Sequence, residues 1–134
     1  MTVFALDTNI ISFILKGQES LMRSVRSELQ KGNRVIIPPI VYYEVKRGLM
    51  ANNAPKKLEA FEGICNMLGV EDMGKGSMDA AAKIYDTQRQ RGRPVEDTDI
   101  LIAAFCINRD YTLVTDNVKH FEVIDDLRFI NWAR

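Results

Sequence analysis

Met-Thr-Val-Phe-Ala-Leu-Asp-Thr-Asn-Ile-Ile-Ser, residues 1–12, decides how the rest of the chain is read. Val3 to Leu6 is a short, apolar, β-leaning run bounded by a polar cluster, the pattern of a strand buried on both faces within a parallel sheet. It ends at Asp7. Thr8 and Asn9 favour a helix start, and Ile10, Ile11, Phe13, Ile14 and Leu15 are dense enough for a helix buried on most sides. Asp7 therefore lies at a strand-to-helix turn. Open α/β sheets bind ligands in the crevice outside the carboxyl ends of their strands, so a carboxylate at this turn faces a site.

Working outward, 134 residues with 46% hydrophobic and 27% charged content are enough for one domain over 1–134 whose core needs no disulfide or metal staple. No segment approaches the roughly 20 apolar residues that span a bilayer. Met1 leads straight into a strand rather than a signal-like region, so the expectation is a cytoplasmic protein with no membrane attachment. Cys65 and Cys106 lie far apart, each inside an apolar helical pattern without a ligand-spaced His or Cys, and read as buried hydrophobes in a reducing compartment. Eighteen basic residues balance eighteen acidic ones. That argues against gripping nucleic acid through a general positive field and leaves only a local patch.

In chain order, Ser20 is the expected cap of an amphipathic helix to about Lys31, with Leu21, Met22, Val25 and Leu29 on one face. Val35 to Ile37 reads as a second strand closed by Pro38-Pro39, followed by a helix over about 40–49 that carries Glu44. Pro55 starts a helix reaching Leu68, Gly69 stops it, and Val70 to Met73 forms a third short strand. A helix from Met78 to about Gln90 precedes the break Arg91-Gly92-Arg93-Pro94. Glu96-Asp97-Thr98-Asp99 then opens a helix whose body, Ile100 to Ile107, is almost wholly apolar. Thr112 to Thr115 is a fourth strand with Asp116-Asn117 at its end, and a helical turn near 119–121 precedes a last strand at Phe129-Ile130. Strands alternating with helices give an α/β three-layer sandwich, a central parallel sheet flanked by helices.

Four carboxylates fall where such a sheet gathers its rim: Asp7, Glu44, Asp99 and Asp116. Singly, each has a plain explanation as a helix-start or turn residue worth about 1 kcal/mol. Together they would repel one another unless a cation sat among them. Hard oxygen ligands without a neighbouring His or Cys select Mg²⁺, with Mn²⁺ as a substitute. Such an ion activates water and neutralises charge on a phosphodiester, so the chemistry indicated is phosphodiester hydrolysis. The single His120 lies in a polar stretch and reads as a surface or packing residue, contact with a substrate phosphate being its most modest active role.

Leu6-Asp7-Thr8-Asn9, Tyr43-Glu44 with Gly48, Gly92-Arg93-Pro94-Val95 leading to Asp99 and Ile102-Ala103-Ala104, then Leu113-Val114-Thr115-Asp116-Asn117 and Phe121 occur in order over nearly the whole chain. As a set they resemble the PIN-domain ribonucleases, and more narrowly the VapC toxins of type II toxin-antitoxin systems. The resemblance implies a sheet in the order 3-2-1-4-5 and a magnesium-dependent endoribonuclease that inhibits translation by cutting a structured RNA such as a tRNA. It further implies a cognate antitoxin whose tail fills the groove, a homodimer formed through the early helices, and operator DNA reached only through the antitoxin. Asp7, Glu44 and Asp99 match the family's three core acids. Asp116 matches the fourth, which either binds a second metal or positions water. Asn9 and Thr115 match polar residues that orient the acids from behind. Asp97 stands two residues before Asp99, but the Asp-x-x-Ile-Ala-Ala spacing selects Asp99 as the ligand and leaves Asp97 as a helix cap or a supporting acid.

Other signals compete with this reading. Gly69 to Gly76 nearly spells a phosphate-binding loop, but Gly76 stands where Ser or Thr must hold the metal, and Glu71 and Asp72 would repel a phosphate. Asp7-Thr8-Asn9 also resembles the opening of aspartyl phosphotransferases, yet Asn9 replaces their second acid. A receiver-like signalling domain accepting a phosphoryl group on Asp7 or Asp116 lacks its adjacent acid pair and its late Lys. A PIN domain retained for RNA binding without cleavage is the third reading, and the intact acids count against it. Among the basic clusters, Arg91 and Arg93 directly precede the acidic helix start and are the candidates for RNA phosphate contact. Tyr42 and Tyr43 flank Glu44, as base-stacking or core aromatics.

Overall fold

The computed structural model describes residues 1–134. Four short strands, β1 (Val3–Leu6), β2 (Arg34–Ile36), β3 (Thr112–Val114) and β4 (Arg128–Ile130), form one sheet in the order β2-β1-β3-β4, with every pairing parallel. Ala5, Leu6, Val35, Ile36, Leu113 and Val114 are all buried, as a sheet covered on both faces requires. The covering helices are α1 (Thr8–Leu15), α2 (Glu19–Gln30), α3 (Pro39–Ala51), α4 (Pro55–Leu68), α5 (Lys75–Gln90), α6 (Asp97–Arg109) and the single turn α7 (Val118–Phe121). None is long and apolar enough to cross a membrane. Both cysteines are buried and free.

The expected strand at Val70 to Met73 is reduced to one parallel bridge, Ile37 with Val70, on the outer side of β2. Counting that bridge, the order is the expected 3-2-1-4-5. Gly69 leaves α4 at φ 93°, a left-handed conformation that suits glycine, and its carbonyl accepts from the Ile37 amide at 3.0 Å. The Glu71 carboxylate then takes Arg34 at 2.9 Å, Arg109 at 2.8 Å and the Tyr111 hydroxyl at 2.9 Å. This side-chain cluster ties down the segment where a longer ladder was expected.

Two helix starts also differ from the sequence reading. α2 begins at Glu19 with Gln18 at the cap, so Ser20 lies inside the first turn. α5 begins three residues ahead of Met78, at Lys75, which pairs with Asp79 at 2.9 Å. Gly76 is thus a helical residue where α5 crosses α6, and a Cβ there would lie 2.9 Å from Asn108 Oδ1. That close approach accounts for the glycine without a phosphate loop. α6 is the most deeply buried helix, with Ile100 and Ile102 through Cys106 covered, while its amino end emerges at the rim of the sheet.

Candidate active site

The sheet register assembles the first half of the site. Leu6 pairs with Val114, and the Asp7 amide donates to the Val114 carbonyl at 2.9 Å, which sets Asp7 beside Thr115 at the carboxyl ends of β1 and β3. The Thr115 hydroxyl donates to Asp7 Oδ2 at 2.7 Å, and the Thr8 amide donates to Asp7 Oδ1 at 2.8 Å. Asp7 is therefore itself the cap of α1. Only 4% of Asp7 is exposed. Burial pushes its carboxyl up to about 6, against the pull of those two hydrogen bonds, and the charges of Asp99 and Glu44 push it further in the same direction.

Glu44 enters from the second turn of α3, which Pro39 starts at its first position with Pro38 as cap. Thr8, whose role the sequence did not disclose, donates its hydroxyl to Glu44 Oε1 at 2.8 Å. One residue thereby fixes two acids, by its amide and by its side chain. Asp99 lies in the first turn of α6, where the helix dipole favours an anion. Its Oδ2 is 3.0 Å from His120 Nδ1, and Asn117 Nδ2 is 3.0 Å from the same ring nitrogen. His120 is thus an acid's partner instead of an isolated surface residue. Burial raises the Asp99 carboxyl from its ordinary value, opposed by the His120 hydrogen bond and charge.

A cavity of about 440 Å³ is bounded by Asp7, Thr8, Asn9, Glu44, Asp99 and His120, with Glu96 and Asn117 also on its wall. The structure thus brings three of the four predicted acids to one cavity. Asp116 is turned elsewhere: Asn131 Nδ2 and Arg134 Nε both donate to its Oδ1 at 3.0 Å, and Arg134 holds its carboxyl below the usual range. Asn9 lines the same cavity, and its side-chain oxygen accepts the Asp116 amide at 3.2 Å. Asp97 is not the helix cap; Glu96 occupies that position, and Asp97 is an exposed residue of the first turn. Arg91 pairs with Asp125 at 2.6 Å, and neither it nor Arg93 lines the cavity.

The donor set suits a hard divalent cation. Asp7 is a nearly dry carboxylate with no cationic partner, facing two further acids, and such an arrangement is relieved by a bound positive charge. No group of three acidic, His or Cys side chains stands ready to ligate one ion. Mg²⁺ does not need one, because it keeps several waters and is held by one or two carboxylates together with substrate phosphate.

A parallel α/β sandwich with three acids around one cavity, Asp7 at the end of a strand and Glu44 and Asp99 on helices, defines a class of nuclease fold. The chain belongs to the PIN domain family, whose sequence pattern matches residues 4–127. Within it the chain groups with the VapC ribonucleases. It is similar to "tRNA(fMet)-specific endonuclease VapC" of Salmonella typhimurium, 30% identical over 134 residues that cover 99% of this chain and 100% of that one. "Ribonuclease VapC1" of Haemophilus influenzae (strain R2866) is 27% identical over 133 residues, covering 98% and 99% of the two chains. Among solved structures, a chain of VapBC2 from Rickettsia felis bound to a DNA fragment from their promoter superimposes with a TM-score of 0.92 at 25% identity, covering 98% of this chain and 99% of that one.

Proposed function

We propose that this chain is the endoribonuclease toxin of a toxin-antitoxin pair, and that it hydrolyses RNA at the Asp7–Glu44–Asp99 cavity with Mg²⁺, or Mn²⁺ in its place. The observation that carries the reading is Asp7: a buried carboxylate, kept in one orientation by Thr8 and Thr115 and confronted by two more acids. Folding a chain around such a group costs stability, and a fold keeps that cost where a ligand returns it.

Asp7, Glu44 and Asp99 would hold the ion, which when bound supplies charge neutralisation and an acidified water. The chain's own residues do the positioning. Thr115 and Thr8 present both Asp7 oxygens as acceptors, so the carboxylate stays ionised and points at the cavity. Thr8 also restrains Glu44, and His120 restrains Asp99. Asp116, engaged by Arg134 and Asn131, acts through its backbone, which anchors Asn9 on the cavity wall.

The substrate proposed is a structured RNA, with an initiator tRNA first on the list because of the named Salmonella relative. The proposed partner is a cognate antitoxin that covers the cavity and alone carries the contact to operator DNA; the similar Rickettsia VapBC2 is a complex bound to a fragment of promoter DNA. A cytoplasmic location and a homodimer through the early helices belong to the same proposal. Induced expression followed by sequencing of new RNA ends tests it: one dominant cut in one RNA species, suppressed by coexpression of the small protein encoded beside the toxin, is the outcome foreseen. RNA that is bound but left intact in every species would favour a binding module.

A further inference from the structure

The cavity at the acids does not end at Glu44. It opens into a second depression of about 270 Å³, and the two share Thr8, Ser12, Lys16 and Glu44 on their walls. This second depression runs between the end of α1 and the turn from α3 to α4, and closes on Asn52 and Lys57. Seven of its ten lining residues are not hydrophobic. Lys16 caps the carboxyl end of α1 and Lys57 lies in the first turn of α4; both are exposed.

Of the cations on α3, Arg47 is engaged with Glu44 and Lys46 with Glu62. Lys16 and Lys57 have neither an ion-pair nor a hydrogen-bond partner for their ammonium groups. Lys16 thus stands where the two depressions meet and Lys57 at the far end, so unpaired cations line the way out from the acids. That arrangement matches a strand whose reacting phosphate approaches the acids and whose next phosphates must be held by cations. Leu15, Val45 and Leu49 are the only hydrophobic residues on the wall.

We infer that Lys16 and Lys57 hold backbone phosphates of the RNA strand next to the bond that is cut, so that the strand leaves the acids along the groove between α1 and the α3–α4 turn. This rests on the endoribonuclease reading and adds to it the direction of the substrate and the residues that grip it. It moves the phosphate contact from Arg91 and Arg93, neither of which lines the cavity, to Lys16 and Lys57.

The test measures binding of labelled oligouridine and of total bacterial tRNA, at several salt concentrations, to protein carrying Asp7→Asn to prevent cleavage. Adding Lys16→Gln and Lys57→Gln should weaken both interactions at least about tenfold and flatten the dependence of log affinity on log salt by about 1.4, two single-strand phosphate contacts. Each single variant should give about half that change in slope, Lys→Arg at both positions should restore binding, and Lys31→Gln, at the far end of α2, should have no effect. In the cleaving protein the double variant should raise KM and leave kcat nearly intact. Unchanged affinity and slope in the double variant would overturn the inference and leave the nuclease reading standing. Intact RNA binding with loss of antitoxin capture would also overturn it, assigning the groove to protein. A parent that neither binds nor cuts RNA would remove both.

Discussion

Asp7 concentrates the tension between stability and function in one side chain. Its carboxyl sits at about 6 in the fold against 3.8 for the ordinary group, so between those values the folded state holds more protons than the unfolded chain. Stability therefore falls as pH rises through that window, and the penalty is complete above pH 6, about 3 kcal/mol at 1.36 kcal/mol per unit. Asp7→Asn removes it. In chelator at neutral pH this variant should melt higher than the parent, with the difference disappearing near pH 4, as thermal denaturation across that range will record; its cleavage activity should be lost. Thr115→Val should act in the opposite sense. It strips Asp7 Oδ2 of its buried hydrogen bond, so the Asp7 carboxyl rises further and the acid limb of the kcat/KM profile moves to higher pH, with activity down about 10–100-fold. Asp7 and Asp99 were legible in the sequence because each marks the edge of an element, and Glu44 because it lies on the helix that follows the second strand. The partnerships of Thr8 and His120 were not, since a hydroxyl or an imidazole acquires its role only when residues 36 and 21 positions apart meet.

At the scale of elements, α6 carries the most responsibility for placing an acid. Its body is packed on the sheet and on α5, with Ala103 and Ala104 fully buried, so its amino end, and Asp99 with it, has a fixed height above the rim. Ala103→Leu has no room to accommodate three extra carbons. It should cost about 1–3 kcal/mol, read as a lower denaturant midpoint at unchanged m-value, and lower activity by displacing Asp99. Strands β1 and β3 and the body of α6 could be read in advance because runs buried on both sides leave an unbroken apolar signature. The bridge at Val70 could not, because the Glu71 cluster that ends it draws on Arg34, Arg109 and Tyr111 from three other parts of the chain. The early start of α5 escaped for a related reason: Gly74, Lys75 and Gly76 look like a loop until α6 is laid against them.

For the whole molecule, zero net charge hides a local separation of charge, acids around one cavity and free lysines along the way out from them. On the proposed reading, one divalent ion would answer both the buried charge of Asp7 and the chemistry at the phosphate, adding stability as well as enabling cleavage. The most direct measurement of that claim is Mg²⁺ binding by calorimetry on the parent and on Asp7→Asn, paired with RNA cleavage by the same preparations with and without chelator. The account predicts that the parent binds the ion, that Asp7→Asn does not, and that cleavage follows occupancy, vanishing in chelator and returning with added Mg²⁺. Cleavage at the parental rate by Asp7→Asn, or by the parent in chelator, would contradict it.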